Sequence, residues 1–253
     1  MKLCRTTAEL REEIALAKAA GKTIGLVPTM GALHEGHASL IKAAAMENEL
    51  VVVSVFVNPT QFGPNEDLDA YPRTLDADCK LAESCGADIV FAHFRGVTTV
   101  VAKLFNLAQP DHAYFGQKDA QQAEVLKRMV KDLFFNVKLR IMPIVREADG
   151  LAKSSRNTYL SKSERAAAVI LNSSLETASM LFKAGERSSQ KLVEGVKKLI
   201  GDEPMAQIDY VEIYALPGLT PAPEVLTKGQ YLLALAVKFG TTRLIDNVIL
   251  EVE

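Results

Sequence analysis

The sequence predicts an α/β protein, with a parallel-sheet domain ahead of a smaller α+β domain. Three observations carry that prediction. Through the first half, apolar β-branched runs alternate with helical periodicities, as in repeated βα units. The run Leu50 to Val57 is apolar except at Ser54, as a strand buried on both faces of a parallel sheet requires. Near Val145 the order changes to helices followed by strands.

The elements follow in order. Thr7 to Ala20 reads as a helix with Leu10, Ile14 and Ala17 on one face. Ile24 to Pro28 reads as a strand, Ala38 to Met46 as a helix, and Leu50 to Val57 as a strand. Thr74 to Ser84 is a helix stopped by Gly86. Asp88 to Phe91 is a strand, and Thr98 to Leu107 a helix ended by Pro110. Ala113 to Phe115 is a short strand, Gln121 to Leu133 a helix, and Val137 to Val145 a strand. Beyond Val145, Ser161 to Ala184 and Ser188 to Leu199 read as helices. Ile208 to Ala215, Gln230 to Lys238 and Arg243 to Val252 read as strands of an antiparallel sheet, set apart by prolines and Gly240. The domains are therefore placed at 1–144 and 145–253.

Composition narrows the classes. The 253 residues, 48% of them apolar, suffice for one large domain or two small ones. A net charge of −2 argues against a nucleic-acid grip, which needs a basic face. No apolar run approaches the roughly 20 residues of a membrane span. The first residues, Met-Lys-Leu-Cys-Arg-Thr-Thr, lack the apolar core of a signal peptide, so the expected compartment is the cytoplasm. Cys4, Cys79 and Cys85 cannot all pair within one chain, and Cys79 and Cys85 show no metal-ligand spacing, which suits reduced thiols.

Chemistry concentrates where strands end. Pro28-Thr29-Met30-Gly31-Ala32-Leu33-His34-Glu35-Gly36-His37 joins a strand to a helix. Such a turn suits a phosphate, because amide groups and the positive end of the helix dipole point outward. On this view those amides are free, and Gly31 and Gly36 let the phosphate come close. Two imidazoles add donors. The bland alternative is a pair of solvated or packed histidines. Zinc fits poorly, since zincin helices carry His-Glu-x-x-His rather than His-Glu-Gly-His.

Other strand ends add polar groups. Asn58 to Gly63 follows the strand from Leu50, and its amides can grip a hydroxyl or carboxylate; a plain Asn-capped turn is the alternative. Tyr114 to Gln122 offers Lys118 to a phosphate and Asp119 to ribose hydroxyls or a helix cap. Arg146 to Asn157 gathers Lys153, Ser154, Ser155 and Arg156 in a flexible loop suited to β- and γ-phosphates, or simply in a solvated turn. Asp76, Asp78 and Glu83 share the next helix, where Asp78 could reach hydrated Mg²⁺; an exposed acidic first turn is the alternative. One junction is abrupt: a single Ala92 separates the strand ending at Phe91 from His93-Phe94-Arg95-Gly96, against usual βα loops of about 2–6 residues.

Taken together, PTMGALHEGH, VFVNPTQFGPNEDLDAYPRT, HFRGV, YFGQKDAQQ, VREADGLAKSSRN and RLIDN resemble the pantothenate synthetase family of the nucleotidylyl-transferase superfamily. These ATP-dependent ligases join pantoate to β-alanine. The resemblance implies a Rossmann-like N-terminal domain, a C-terminal lid domain and a homodimer, with small-molecule substrates and neither nucleic acid nor membrane as partner. It implies that Met30, Gly31, Ala32, Leu33, His34, Glu35, Gly36 and His37 hold ATP, with His34 and His37 on its phosphates. Gly116, Gln117, Lys118, Asp119, Val145, Lys153, Ser154, Ser155 and Arg156 complete that site. His37, His34, Lys118, Ser154 and Arg156 carry the catalytic roles, with His37 matching the family's proton donor. Gln61, Gln122, Asn58 and His93 fall to the substrates, and ATP comes with Mg²⁺.

The implied chemistry has two steps. The pantoate carboxylate attacks the α-phosphorus of ATP, releasing pyrophosphate, and the β-alanine amine then displaces AMP from pantoyl adenylate. Positioning and charge stabilisation suffice, without a protein nucleophile. The family usually carries some tens of further residues after the strand ending at Phe91, including a strand and part of the pantoate-side wall. The abrupt junction there suggests a polypeptide longer than its sequence shows.

Overall fold

The computed structural model describes residues 1–56, 74–92 and 100–253. Asn58, Gln61 and His93 lie outside the described residues. The chain forms two compact units: Met1–Gly116 with Met129–Met142, and Gln117–Arg128 with Pro143–Glu253.

The first unit is built on a six-stranded parallel sheet. Its strands are β1 (Lys2–Cys4), β2 (Ile24–Thr29), β3 (Leu50–Val55), β4 (Ile89–Ala92), β5 (His112–Gly116) and β6 (Lys138–Met142), in the spatial order β1-β4-β3-β2-β5-β6. The central strands follow from their sequence. Ile24, Leu26, Val27, Val52 and Val53 are fully buried, as near-continuous apolar runs demand between two helical layers. The helices are α1 (Thr7–Ala19), α2 (Glu35–Glu47), α3 (Leu75–Ser84) and α4 (Val100–Ala108). Leu10, Ile14 and Ala17 form the buried face of α1, which Thr6 and Glu9 start with a capping box. Helix α2 packs through Ala38, Leu40, Ile41 and Ala44.

Strand order reverses between β2 and β5: the chain runs outward from β2 through β3 to β4, and from β5 to β6. In an open parallel sheet, ligands bind where the order reverses, beyond the carboxyl ends of the strands. Here those ends are Thr29 and Gly116.

The carboxyl-terminal end of α2 is pinned to β5. Tyr114, fully buried, donates from its hydroxyl to Glu47 Oε2 (2.7 Å) and accepts from Asn48 Nδ2 (2.8 Å). Asn48 Oδ1 lies 2.8 Å from His112 Nδ1. A side chain at position 25 would crowd Asn48 Nδ2 at 2.7 Å, so Gly25 keeps room for this contact. Burial, then the bond to Glu47, pushes the Tyr114 hydroxyl up to about 12. The bonds from Tyr114 and Arg140 hold the Glu47 carboxyl below its ordinary range.

In the second unit, a four-stranded antiparallel sheet has the order β10-β9-β7-β8. It consists of β7 (Ala206–Leu216), β8 (Thr220–Pro221), β9 (Gly229–Phe239) and β10 (Thr242–Val252). Helices α7 (Ile170–Lys183) and α8 (Ser189–Gly201) bury Leu171, Leu175, Leu192, Val196 and Ile200 with Leu233, Leu235 and Val237 of β9. Helix α5 (Ala120–Asp132) begins in this unit, and Tyr210 of β7 reaches Gln121 at 3.5 Å.

Local pattern missed several details. Strand β1 has three residues, too few for periodicity, and exists because β4 pairs with it in parallel. The helix expected over Ser161 to Ala184 is broken into α6 (Lys162–Ala167) and α7. At the break the ladder tightens to a Leu171-to-Ala168 bond of 3.2 Å, with Ala168 fully buried. Strand β6 ends at Met142, before the expected Val145.

Replacing Tyr114 with Phe should cost about 1–3 kcal/mol at pH 7, because Glu47 and Asn48 lose a buried partner. The folded hydroxyl ionises above its ordinary value of 10.0, so its stabilising share is complete below that pH and lost between pH 10 and about 12. Urea unfolding of the wild type should therefore decline more steeply than that of Tyr114→Phe across this window. Parallel declines would contradict the assignment.

Candidate active site

The turn after β2 is bent by two successive left-handed residues, Gly31 (φ +83°) and Ala32 (φ +49°). A Cβ at Gly31 would lie 3.0 Å from Val55 and 3.1 Å from Asp78, so glycine is required by both conformation and space. The next amides converge on one buried carboxylate. Ala32 N–H donates to Asp78 Oδ2 (3.1 Å) and Leu33 N–H to Oδ1 (2.8 Å). Thr74 Oγ1 adds a bond at 3.2 Å, and Asp78 is only 2% exposed. Below them, Thr29 Oγ1 accepts from Gly31 N–H and donates to the Ser54 carbonyl.

This arrangement corrects two expectations. The turn amides of Ala32 and Leu33 are not open to a phosphate, because consecutive left-handed residues aim them at a common point that Asp78 fills. Asp78 is not an exposed helix-start acid: it is buried, and both of its oxygens accept from the turn.

Helix α2 starts at Glu35, three residues before the expected Ala38, because His34 caps it. His34 Nδ1 accepts from Gly36 N–H (3.1 Å), and His37 Nδ1 accepts from His34 N–H (3.3 Å). This is a capping box built from two imidazoles, where Ser or Thr and Glu normally serve. The two rings lie 4.2 Å apart, centroid to centroid. A ring nitrogen that accepts carries no proton, so the network assigns the proton of each neutral ring to Nε2. The expectation for Gly36 also changes: a Cβ there would come 2.8 Å from His34 Cε1, so the glycine makes room for the ring. Met30 lies between Thr29 of β2 and Gly31, half-buried at the head of this turn.

The remaining described candidates belong to the second unit, apart from Gly116, the last residue of β5. Gln117, Lys118 and Asp119 form a 3-10 turn before α5, with Asp119 exposed. Asn247 of β10 donates through Nδ2 to the Gln117 and Lys118 carbonyls, at 3.0 and 2.9 Å. Gln122 is exposed on α5.

The stretch Arg146 to Asn157, expected to be a flexible loop, instead opens as a bonded hairpin that starts from Val145. Lys153 N–H donates to the Val145 carbonyl (2.9 Å), and Glu147 N–H to that of Leu151 (2.8 Å). Arg146 makes a two-pronged pair with Asp246 at 2.7 and 3.0 Å and donates to the Gly150 carbonyl. Lys153 Nζ sits 3.3 Å from Glu147. Ser154 then caps the 3-10 turn Ser155–Tyr159 by accepting from Arg156 N–H. Asp246 and Asn247 lie in RLIDN, but no local pattern singles them out for a role. The signal present is an acid and an amide side by side in the otherwise apolar stretch Leu244 to Leu250.

The family model described as pantoate-beta-alanine ligase matches residues 2–93 and 92–249. The chain belongs to that family. A pantothenate synthetase of Acetivibrio thermocellus is 50% identical over 283 aligned residues, covering 100% of each chain. That of Pelotomaculum thermopropionicum is 50% identical over 281, covering 99% of each. Among solved structures, pantothenate synthetase from Thermus thermophilus matches with a TM-score of 0.88 and 38% identity, over 98% of this chain and 99% of the other. The six-stranded parallel sheet followed by a smaller antiparallel one is therefore the architecture of the family.

The two matched stretches meet where the sequence passes from Ala92 to His93. An alignment of 283 positions against 253 residues leaves at least 30 positions of the relative without a counterpart here. The sequence itself runs directly from Ala92 to His93.

Asp78→Ala should lose about 1–3 kcal/mol for each amide left unpaired in the turn, read by urea unfolding. Asp78→Asn, which keeps one acceptor, should lose less; equal stability of all three forms would refute the clamp. Gly36→Ala should leave stability nearly unchanged, since alanine favours helix. Displacing the His34 ring from its cap should nevertheless slow pyrophosphate release by on the order of 10². An unchanged rate would show that the ring position does not matter.

Proposed function

We propose that this chain condenses (R)-pantoate with β-alanine at the expense of ATP, giving pantothenate, AMP and pyrophosphate through pantoyl adenylate. One observation carries the reading: two imidazoles cap α2 at the reversal point of the parallel sheet, in a chain of the pantoate–β-alanine ligase family. A family member from Francisella tularensis, 28% identical with a TM-score of 0.74 and covering 97–98% of both chains, was crystallised with β-γ ATP and β-alanine. Its ligands supply the substrate class.

In the first step a pantoate carboxylate oxygen bonds to the α-phosphorus of ATP, and the bond to the pyrophosphate oxygen breaks. His34 and His37 supply Nε2–H donors to the phosphates, with His37 nearest the developing charge. The backbone of the Met30–His37 turn shapes the nucleotide pocket, and Glu35 lies in the first turn of α2. Gly116, Gln117, Lys118, Asp119, Val145, Lys153, Ser154, Ser155 and Arg156 complete the nucleotide contacts, with the cations and hydroxyls on the leaving pyrophosphate. In the second step the β-alanine amine bonds to the acyl carbon, the bond to AMP breaks, and the amine loses a proton. Gln122 holds pantoate, together with Gln61, Asn58 and His93.

Among the described residues, no three His, Cys, Asp or Glu side chains gather to hold a metal ion. Mg²⁺ in this reading travels on the ATP phosphates with its own waters, as that ion commonly does. The proposed assembly is a homodimer: Leu133 and Phe134 are 57% and 91% exposed ahead of β6, which among the described residues is an edge strand that a second copy could meet. No helix among the described residues is long and apolar enough to cross a membrane, and the proposed compartment is the cytoplasm.

The deciding assay follows pyrophosphate and AMP separately. Pantoate plus ATP should release pyrophosphate, and AMP should appear when β-alanine is added. His37→Ala should slow pyrophosphate release by about 10²–10³ while the protein stays folded. Pyrophosphate release at the normal rate by this variant, or AMP formation independent of β-alanine, would overturn the reading.

A further inference from the structure

We infer that Asn247 is a positioning residue for Lys118, acting through the backbone of the turn that carries the lysine. The inference rests on the reading of Lys118 as a phosphate contact. Asn247 lies in the apolar stretch Leu244 to Leu250 of β10 and is 3% exposed. A buried amide in such a strand is costly unless its donors and acceptor find partners. Here they do, all on one short segment. Nδ2 spends its two protons on the carbonyls of Gln117 (3.0 Å) and Lys118 (2.9 Å), and Oδ1 faces Gln117 Nε2 at 3.3 Å. Holding two consecutive carbonyls sets the orientation of both peptide planes. That in turn sets the direction in which the Lys118 side chain leaves the backbone.

The clamp is itself anchored. Asn247 N–H donates to Asp246 Oδ1 at 2.7 Å. Asp246, 1% exposed, grips Arg146 through both guanidinium ends. Arg146 opens the hairpin that leads to Lys153 and Ser154. Two neighbouring residues of one strand thus refer two cationic segments to the same stretch of backbone. An apolar residue at position 247 would fill the core but leave the two carbonyls without this donor. An amide whose donors both go to backbone carbonyls of the lysine turn specifies orientation.

The test uses the full chain, with ATP binding measured by calorimetry in the absence of pantoate. Asn247→Ala should weaken ATP by about tenfold or more, the effect of a misplaced contact. Reaction of supplied pantoyl adenylate with β-alanine, which does not use the β- and γ-phosphates, should stay within about twofold. The decisive measurement is the double-mutant cycle: in a Lys118→Ala background, Asn247→Ala should add less than about twofold, because the two residues act as one. Should the alanine variant fail to fold, Asn247→Asp keeps the shape while turning a carboxylate oxygen toward two carbonyls, and should weaken ATP at least as much. A tenfold loss in both backgrounds, or no loss in the wild-type background, would overturn the inference. If Lys118→Ala alone leaves ATP binding unchanged, the underlying reading of Lys118 falls instead, independently of Asn247.

Discussion

The carboxylate of Asp78 is the constraint on which the histidine turn depends. Gly31 and Ala32 adopt a left-handed path that an unassisted chain would leave. Their following amides are drawn together by a buried acid from α3, and the acid is in turn satisfied by them. A carboxylate this buried would be expensive without partners, and a turn this tight would be poorly determined without an acceptor. Each removes the other's cost. The consequence runs down the chain: the turn delivers His34 to its capping position, and the cap orients His37.

Helix α2 is held at its other end by a second polar group of contacts. Tyr114, Asn48, Glu47 and His112 join its last residues to β5. Apolar packing along Ala38, Ile41 and Ala44 places the helix on the sheet but allows sliding and rotation. Directional bonds at both ends remove that freedom. The imidazoles sit on an element whose position is defined to within hydrogen-bond tolerance.

The second unit applies the same physics to different residues. Its core of leucines, isoleucines and valines builds the sheet and its helices. The cationic segments are then set by the buried Asp246 and Asn247, which hold backbone carbonyls and a guanidinium. In both units, apolar residues decide where elements lie, and a small number of buried polar side chains decide how the turns at the strand ends are shaped. Apolar burial is non-directional, whereas a hydrogen bond selects an angle.

The sequence by itself determined the alternation of strands and helices, because side-chain periodicity reports which faces are buried. The run Leu50 to Val55, the amphipathic α1 and the glycine-bearing histidine turn were all legible that way. So were the motifs that resemble the ligase family, since they are contiguous. Tertiary structure decided what lay between distant residues. The pairing that creates β1, the ion pair that anchors the hairpin after Val145 and the partner of the Ala32 and Leu33 amides depend on chain segments brought together by folding. Asp78 lies 46 residues from Ala32, and Asn247 lies 129 from Lys118. No local pattern records such a contact, because the desolvation that makes it worthwhile exists only once the core has closed.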